Sequence, residues 1–165
     1  MGRVILTGDE SPLEVIVFAY GMEQGLGEFY SSAAAMIEDE DVAGLLRKLA
    51  RIEANHKQKL FDLYMTLNTT GRGGEAFESE IMSEMMEGGF TTEEFLEKNR
   101  PVMETTADTL SLAMMLETQA LDLYLRYSQK AEDQESRSVL YRIAEDEKAH
   151  LKALGGMMEA IHNEE

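Results

Sequence analysis

The chain has 165 residues, 44% of them hydrophobic, with 32 acidic against 15 basic side chains and a formal charge of −17. That length makes one compact domain with a true core, and the charge argues against nucleic acid and anionic membranes while favouring cations as partners. Cysteine is absent, which excludes disulfides, zinc-thiolate sites, iron–sulfur clusters and cysteine nucleophiles together.

Residues 1–10 carry a single Arg and only a short apolar run, too little for a signal-peptide core. No stretch is apolar for eighteen residues, so no membrane span is expected and a cytoplasmic protein is the default. The first long helix opens at Ser11-Pro12-Leu13-Glu14, where Ser11 suits the N-cap, Pro12 the first helical position and Glu14 a capping box. Val15, Ala19, Met22, Leu26, Phe29, Tyr30, Ala33 and Met36 then recur at spacings of three and four, one helix face. Gly25 and Gly27 lie inside this helix at a propensity cost of roughly 2 kcal/mol; close approach of another helix or room beside a site is the expected reason.

The acidic patch Glu38-Asp39-Glu40-Asp41 makes the turn, with Asp39 or Asp41 as the next cap. A second helix is expected from about Val42 to Leu67, its inner stripe being Leu45, Leu49, Ile52, His56, Leu60 and Leu63. Thr69-Thr70-Gly71-Arg72-Gly73-Gly74 stops it. Residues 75 to 104 are less regular, with short helical pieces expected around Ala76–Met86 and Thr92–Lys98, Gly88-Gly89 between them and a break at Pro101. A third long helix starts near Thr105 or Thr106 and reaches Lys130. The fourth starts near Asp133 and runs at least to Leu154; Gly155-Gly156 is a point for a kink or an end, and Met157–His162 is able to continue it. Short turns within each helix pair and one crossover of roughly 35 residues between them describe a four-helix bundle of two antiparallel hairpins. Met82, Met85, Met86, Met114 and Met115 read as core filler and crossover packing, with a methionine-lined dimer face as the alternative.

The three histidines, His56, His150 and His162, each follow a glutamate by three residues: Glu53, Glu147 and Glu159. Such a pair lies on one helix face, one turn apart, and can share a metal ion. In a glutamate-rich chain the pair alone is weak; its surroundings are not. Glu23 stands thirty residues before Glu53, and Glu117 thirty before Glu147. Tyr30 and Tyr124 follow these by seven. The two halves superpose at an offset of 94, which also matches Ala50 with Ala144, Leu60 with Leu154 and Glu38-Asp39 with Glu132-Asp133. The residue thirty before Glu159 is Gln129, so Glu159 and His162 read as solvated surface.

In an antiparallel hairpin, residues equidistant from the turn lie level. The spacing centres on the two acidic turns, so each hairpin sets one Glu opposite one Glu-x-x-His pair, about fifteen residues or roughly 23 Å from the turn at 1.5 Å per residue. Two hairpins packed face to face bring four carboxylates and two imidazoles together mid-bundle. Four carboxylates in a core repel one another and suffer desolvation. Two divalent cations neutralise them, and a mixed N/O donor set suits iron or manganese.

The segment Ala19-Tyr20-Gly21-Met22-Glu23-Gln24-Gly25-Leu26-Gly27-Glu28-Phe29-Tyr30, together with Glu53–His56, Glu117–Tyr124 and Glu147–His150, resembles the rubrerythrin branch of the ferritin-like superfamily, over nearly the whole chain from Ser11 onward. The resemblance implies an all-α, ferritin-like four-helix bundle with residues 11–165 as one domain. It implies a non-haem di-iron centre reacting with peroxide or dioxygen, in which manganese or zinc can substitute. By that resemblance Glu23, Glu53, His56, Glu117, Glu147 and His150 are metal ligands, Glu53 and Glu147 bridging and Glu23 and Glu117 terminal. Tyr30 and Tyr124 are hydrogen-bond donors to the ligands, or otherwise core aromatics.

Two departures stand out. Rubrerythrins carry a rubredoxin domain with four cysteines, so this cysteine-free chain needs an external electron donor. They also carry an extra glutamate one turn after the third-helix ligand, where this chain has Ala120, with Leu26 at the matching place in the first half. The six-ligand set is closer to that of bacterioferritin. The segment Tyr20–Tyr30 also resembles ferritin-like domains fused behind rhodanese domains, which makes residues 1–10 a leader or linker remnant. The expectation is a cytoplasmic di-iron oxidoreductase, a homodimer, with two rivals: an iron-handling or ferroxidase module without a separate substrate, and a metal-free structural bundle.

Overall fold

A computed structural model describes residues 6–69, Phe77, Met85–Met86 and residues 90–164. Four long helices dominate: α1 (Pro12–Met36), α2 (Glu40–Leu67), α4 (Thr106–Lys130) and α5 (Gln134–Glu164), with the short α3 (Thr92–Asn99) in the crossover. α1 packs along α2 and α4 along α5, and the hairpins meet through α1 against α4 and α2 against α5. This is the all-α, ferritin-like bundle with one long crossover.

Each long helix is started by a side chain. Ser11 and Glu14 form the capping box of α1, at 3.3 and 2.8 Å. Thr105 and Asp108 repeat it on α4, at 3.1 and 2.9 Å. The Asp39 carboxylate accepts from Asp41 N and Val42 N, and its repeat partner Asp133 accepts from Ser136 N at 2.7 Å. Such caps contribute about 1 kcal/mol apiece. They also set the hairpin turns at residues 37–39 and 131–133, where the acidic patches place them. α2 begins at Glu40, two residues before the expected Val42, because Asp39 rather than Asp41 takes the cap.

The buried stripe of α2 is Leu46, Leu49, Glu53, His56, Leu60 and Leu63. Leu45 and Ile52, expected on it, are half-buried at its edge. The stripe is centred on the polar pair, so Glu53 takes the inward position that apolarity alone would give to Ile52. α5 runs unbroken through Gly155-Gly156. Leu154 is buried, and Met157, Met158 and Ile161 pack against the core beyond it. That packing outweighs about 2 kcal/mol of glycine propensity cost.

The crossover departs from expectation at Met85-Met86. These are not the end of a helix but a two-residue strand, antiparallel to Phe90-Thr91. A Gly-Gly pair between short apolar runs favours a hairpin over a helix. Phe77 is helical and fully buried, its ring edge-on to Tyr20, Phe61 and Tyr64 at 4.7–5.2 Å; the rest of the piece expected around Ala76–Met86, and Met82 with it, lies outside the described residues. α3 forms as expected and gives way to a 3-10 turn, Arg100–Val102, at Pro101. Met114 is half-buried against the core, whereas Met115 is 44% exposed and fills no core. The Ser11-proximal segment is docked: Tyr127 Oη donates to Glu10 at 2.6 Å and Lys130 Nζ to the Gly8 carbonyl at 3.2 Å. Among the described residues no helix is long and apolar enough to cross a membrane.

Candidate metal centre

The two hairpins bring Glu23 (α1), Glu53 and His56 (α2), Glu117 (α4), and Glu147 and His150 (α5) together at mid-bundle, every carboxylate fully buried. His56 Nδ1 lies 3.4 Å from Glu23 Oε2, 3.0 Å from Glu53 Oε2 and 3.1 Å from Glu147 Oε1. His150 Nδ1 lies 3.2 Å from Glu117 Oε1, 3.2 Å from Glu53 Oε1 and 3.0 Å from Glu147 Oε2. Glu53 and Glu147 thus turn one oxygen toward each imidazole, while Glu23 and Glu117 each serve one. The imidazole rings face each other at 5.7 Å and 23°. Two overlapping donor groups result, Glu23–Glu53–His56–Glu147 and Glu53–Glu117–Glu147–His150, each with its ligand atoms within 4.8 Å of one another.

The tyrosines cross between the halves. Tyr30 of α1 donates to Glu117 Oε1 and Tyr124 of α4 donates to Glu23 Oε1. Burial first, and the neighbouring carboxylates second, push both phenols well above their ordinary pKa, so they remain donors.

The donor set fits two cations. Glu23 Oε2, both oxygens of Glu53 and Glu147, Glu117 Oε2 and His56 Nδ1 are buried without a hydrogen-bond partner. Orphaned acceptors in such number are rare in a folded core unless something else binds them. Protons and electrostatics give the same picture. Burial, then the charges of Glu53 and Glu147, hold Glu23 well above the usual carboxylate range. Burial, with Glu147 close by, does the same to Glu117. Burial would also raise Glu53 and Glu147, but their neighbours outweigh it and lower them, the two imidazoles for Glu53 and the Glu117 carboxyl ahead of the imidazoles for Glu147. The imidazoles, despite a burial effect that opposes charge, are raised by their carboxylates, His150 to about 12. The shifts thus favour protons on Glu23, Glu117 and the imidazoles, and ionised carboxylates at Glu53 and Glu147, so protons gather where cations would neutralise the same charge.

One part of the centre has no sequence precursor. His56 Nε2 lies 3.1 Å from Asp146 Oδ2, which Lys59 Nζ also approaches at 3.1 Å. The offset of 94 sets Ile52 against Asp146 and Ala153 against Lys59, so the search for matched pairs passes over both. The available signal is chemical: a ligand histidine needs an acceptor for its outer N–H, and Asp146 adjoins Glu147. Glu159 and His162 are exposed near the end of α5, apart from the group.

A cavity of about 730 Å³ between α1, α2 and α3 reaches the centre, with Glu23, Gly27, Glu28, Lys57, Glu93 and Glu97 in its lining. A Cβ on Gly27 would meet Ala50 O and Glu53 Cβ at 3.8 Å, ordinary contact. Helix approach therefore does not require this glycine; the room beside the site does. Its repeat partner is Leu121.

No protein-family model matches the chain, and a sequence comparison with curated proteins finds no match. Solved structures are similar in fold. A hypothetical protein from Pyrococcus furiosus superposes with a TM-score of 0.72 at 24% identity, over 99% of each chain. Two structures of KatB, a manganese catalase from Anabaena, superpose with a TM-score of 0.71 at 14% identity, over 97% of this chain and 77% of theirs. At such identities the likeness is one of fold.

Proposed function

We propose that the protein is a dinuclear-metal oxidoreductase of the rubrerythrin type that consumes peroxide or dioxygen at the four-glutamate, two-histidine centre. The observation that carries this is the division of oxygens: Glu53 and Glu147 each offer one to either imidazole, the arrangement of two carboxylates bridging a pair of ions. Glu23 with His56 would complete one ion's ligands, and Glu117 with His150 the other's. Two iron or manganese ions held there supply a two-electron couple to a peroxide or dioxygen molecule. Tyr124 holds Glu23 by the oxygen turned away from His56, and Tyr30 holds Glu117 by the oxygen that also faces His150, which fixes the aim of both terminal carboxylates. The cavity bordered by Glu23 and Gly27 gives a small substrate its way in.

Reduction of peroxide to two water molecules takes two electrons and two protons, and without cysteine the chain needs an external donor to supply the electrons. The manganese catalase fold relatives favour a second reading, in which two peroxides disproportionate to dioxygen and water and no donor is needed. Metal analysis of gently purified protein, followed by peroxide and dioxygen consumption of the Fe(II)- and Mn(II)-loaded forms with and without reductant, separates the two. Two ions per chain and reductant-dependent peroxide loss are expected. Stoichiometric Fe(II) oxidation without further turnover would point instead to iron handling, and a chain that takes up no metal would end both readings.

A further inference from the structure

The geometry points to two unequal metal positions that fill in order, the His56 position first, with Asp146 as the positioning residue that makes it the tighter. This rests on the dinuclear reading above.

Both imidazoles turn Nδ1 toward the carboxylates, so each must carry its proton on Nε2 when Nδ1 serves as a ligand. For His56 that proton has a place. Asp146 Oδ2 lies 3.1 Å from Nε2 and is itself held by Lys59 Nζ at 3.1 Å. Asp146 Oδ2 thus has the Lys59 ammonium on one side and the outer ring nitrogen of His56 on the other, an acceptor placed between two donors. The chain Lys59–Asp146–His56 fixes ring orientation and tautomer, and a carboxylate behind the ring makes Nδ1 a better donor to a cation.

For His150 the same atom is buried and, among the described residues, without a partner. The duplication has not been completed there: Ile52 stands where the second hairpin has Asp146, and Ala153 where the first has Lys59. An N–H left unpaired in a dry core disfavours the tautomer that the metal requires. The terminal glutamates differ in the same sense. Glu23 gives Oε1 to Tyr124 and keeps Oε2 toward His56. Glu117 instead turns one and the same oxygen, Oε1, toward both Tyr30 and His150. The His56 position is thus arranged before the ion arrives, whereas the His150 position must be arranged by it.

Outer hydrogen-bond partners of a ligand histidine are worth about 10–100-fold in metal affinity, and the two binding steps should differ by that factor. Titration of the metal-free full chain with Mn(II), followed by calorimetry and electron paramagnetic resonance, reads this directly. One equivalent should give an isolated-ion spectrum on most chains, and the second should convert it to that of a spin-coupled pair. Asp146→Ala should weaken the first step 10–100-fold and bring the steps together, whereas Asp146→Asn, which retains an oxygen acceptor, should restore part of the separation. His150→Ala should keep the tight ion and His56→Ala should lose it, which holds the test even if Asp146→Ala folds poorly. Two ions bound with equal affinity, a coupled pair already dominant at one equivalent, or an Asp146→Ala isotherm like that of the parent would overturn the inference while leaving the dinuclear centre standing. Fewer than two ions in the parent chain would overturn both.

Discussion

The first and second hairpins carry the same buried Glu and Glu-x-x-His side chains in the same register but live in different surroundings. α1 is buried along nearly every face, including the consecutive run Val15–Ala19, and α3 and the Met85–Met86 strand pack against it in addition to α2 and α4. α4 buries only a stripe, Leu110, Ala113, Leu116, Glu117, Ala120, Leu123 and Tyr124, and shows its other side to solvent. Among the described residues the crossover packs mainly on the first half. It borders the cavity beside Glu23, where Gly27 leaves room that Leu121 occupies in the other half. Duplicated sequence thus preserves the inner contacts that both halves must make with each other, and leaves the outer contacts free to diverge.

The largest effect expected from this comparison is on turnover. His56→Ala and His150→Ala should each lower peroxide or dioxygen consumption by at least about 100-fold, since losing merely an outer partner of a ligand reaches that scale and both ions are needed for two electrons. Turnover measured on the two variants at saturating metal checks this. Retention of normal activity by either would mean that one ion suffices.

Stability against pH comes next. Glu23 and Glu117 are held above the ordinary value of 4.5, so their contribution is full below about that pH and is lost as pH rises through their folded-state values. His56 and His150 are raised from 6.5; they contribute fully below 6.5, and the His150 share is lost as pH rises toward about 12. Glu53 and Glu147 are lowered from 4.5, so they contribute above that value and lose the contribution as pH falls through their folded-state values. The metal-free protein should therefore be most stable near pH 4.5. From there it should weaken toward neutral pH, by about 1.4 kcal/mol per pH unit for each proton that only the folded chain retains. The metal-bound form should do the opposite, weakening where protons compete for the ligands. Thermal melts of both forms from pH 4 to 8 decide it, and a metal-free chain that grows steadily more stable up to pH 8 would contradict a buried carboxylate group.

Gly27→Leu copies the second half into the first. It should narrow the cavity beside Glu23 and slow peroxide or metal access by about tenfold while the fold is kept, since the first added atom, the Cβ, meets only ordinary contacts. Initial rates of metal uptake and peroxide loss, set against an unchanged final metal content, test it. Smallest of all, Glu159→Ala alters a Glu-x-x-His pair that has no matched half. It should shift stability by no more than about 0.5 kcal/mol and leave metal content alone, as equilibrium unfolding and metal analysis would show.

The clustering of the six Glu and His side chains and of both tyrosines is legible because each is repeated. A residue type that recurs at an offset of 94, level with a partner about an acidic turn, is restrained twice. Asp146 and Lys59 were not legible because they act in one half only. At Gly155-Gly156 the sequence leaves an end, a kink and a continuation open for a related reason: local propensity favours an end there, while the packing of Leu154, Met157 and Ile161 that carries α5 onward is tertiary. At Met85-Met86 the glycine pair was read as a gap between helices although it also suits a hairpin.

By itself, then, the sequence determined the four long helices, their caps, the pairing into two hairpins and the identity of the clustered side chains. These follow from periodicity, capping chemistry and level spacing, all properties of single helices and short turns. Tertiary structure alone decided which oxygen faces which imidazole, the exchange of tyrosines between the halves, the support of His56 by Asp146, and the cavity between α1, α2 and α3. Those depend on how one hairpin is rotated and seated against the other and on where the crossover lies. A one-dimensional pattern places residues along a helix and around it, but the distances between helices are set by packing.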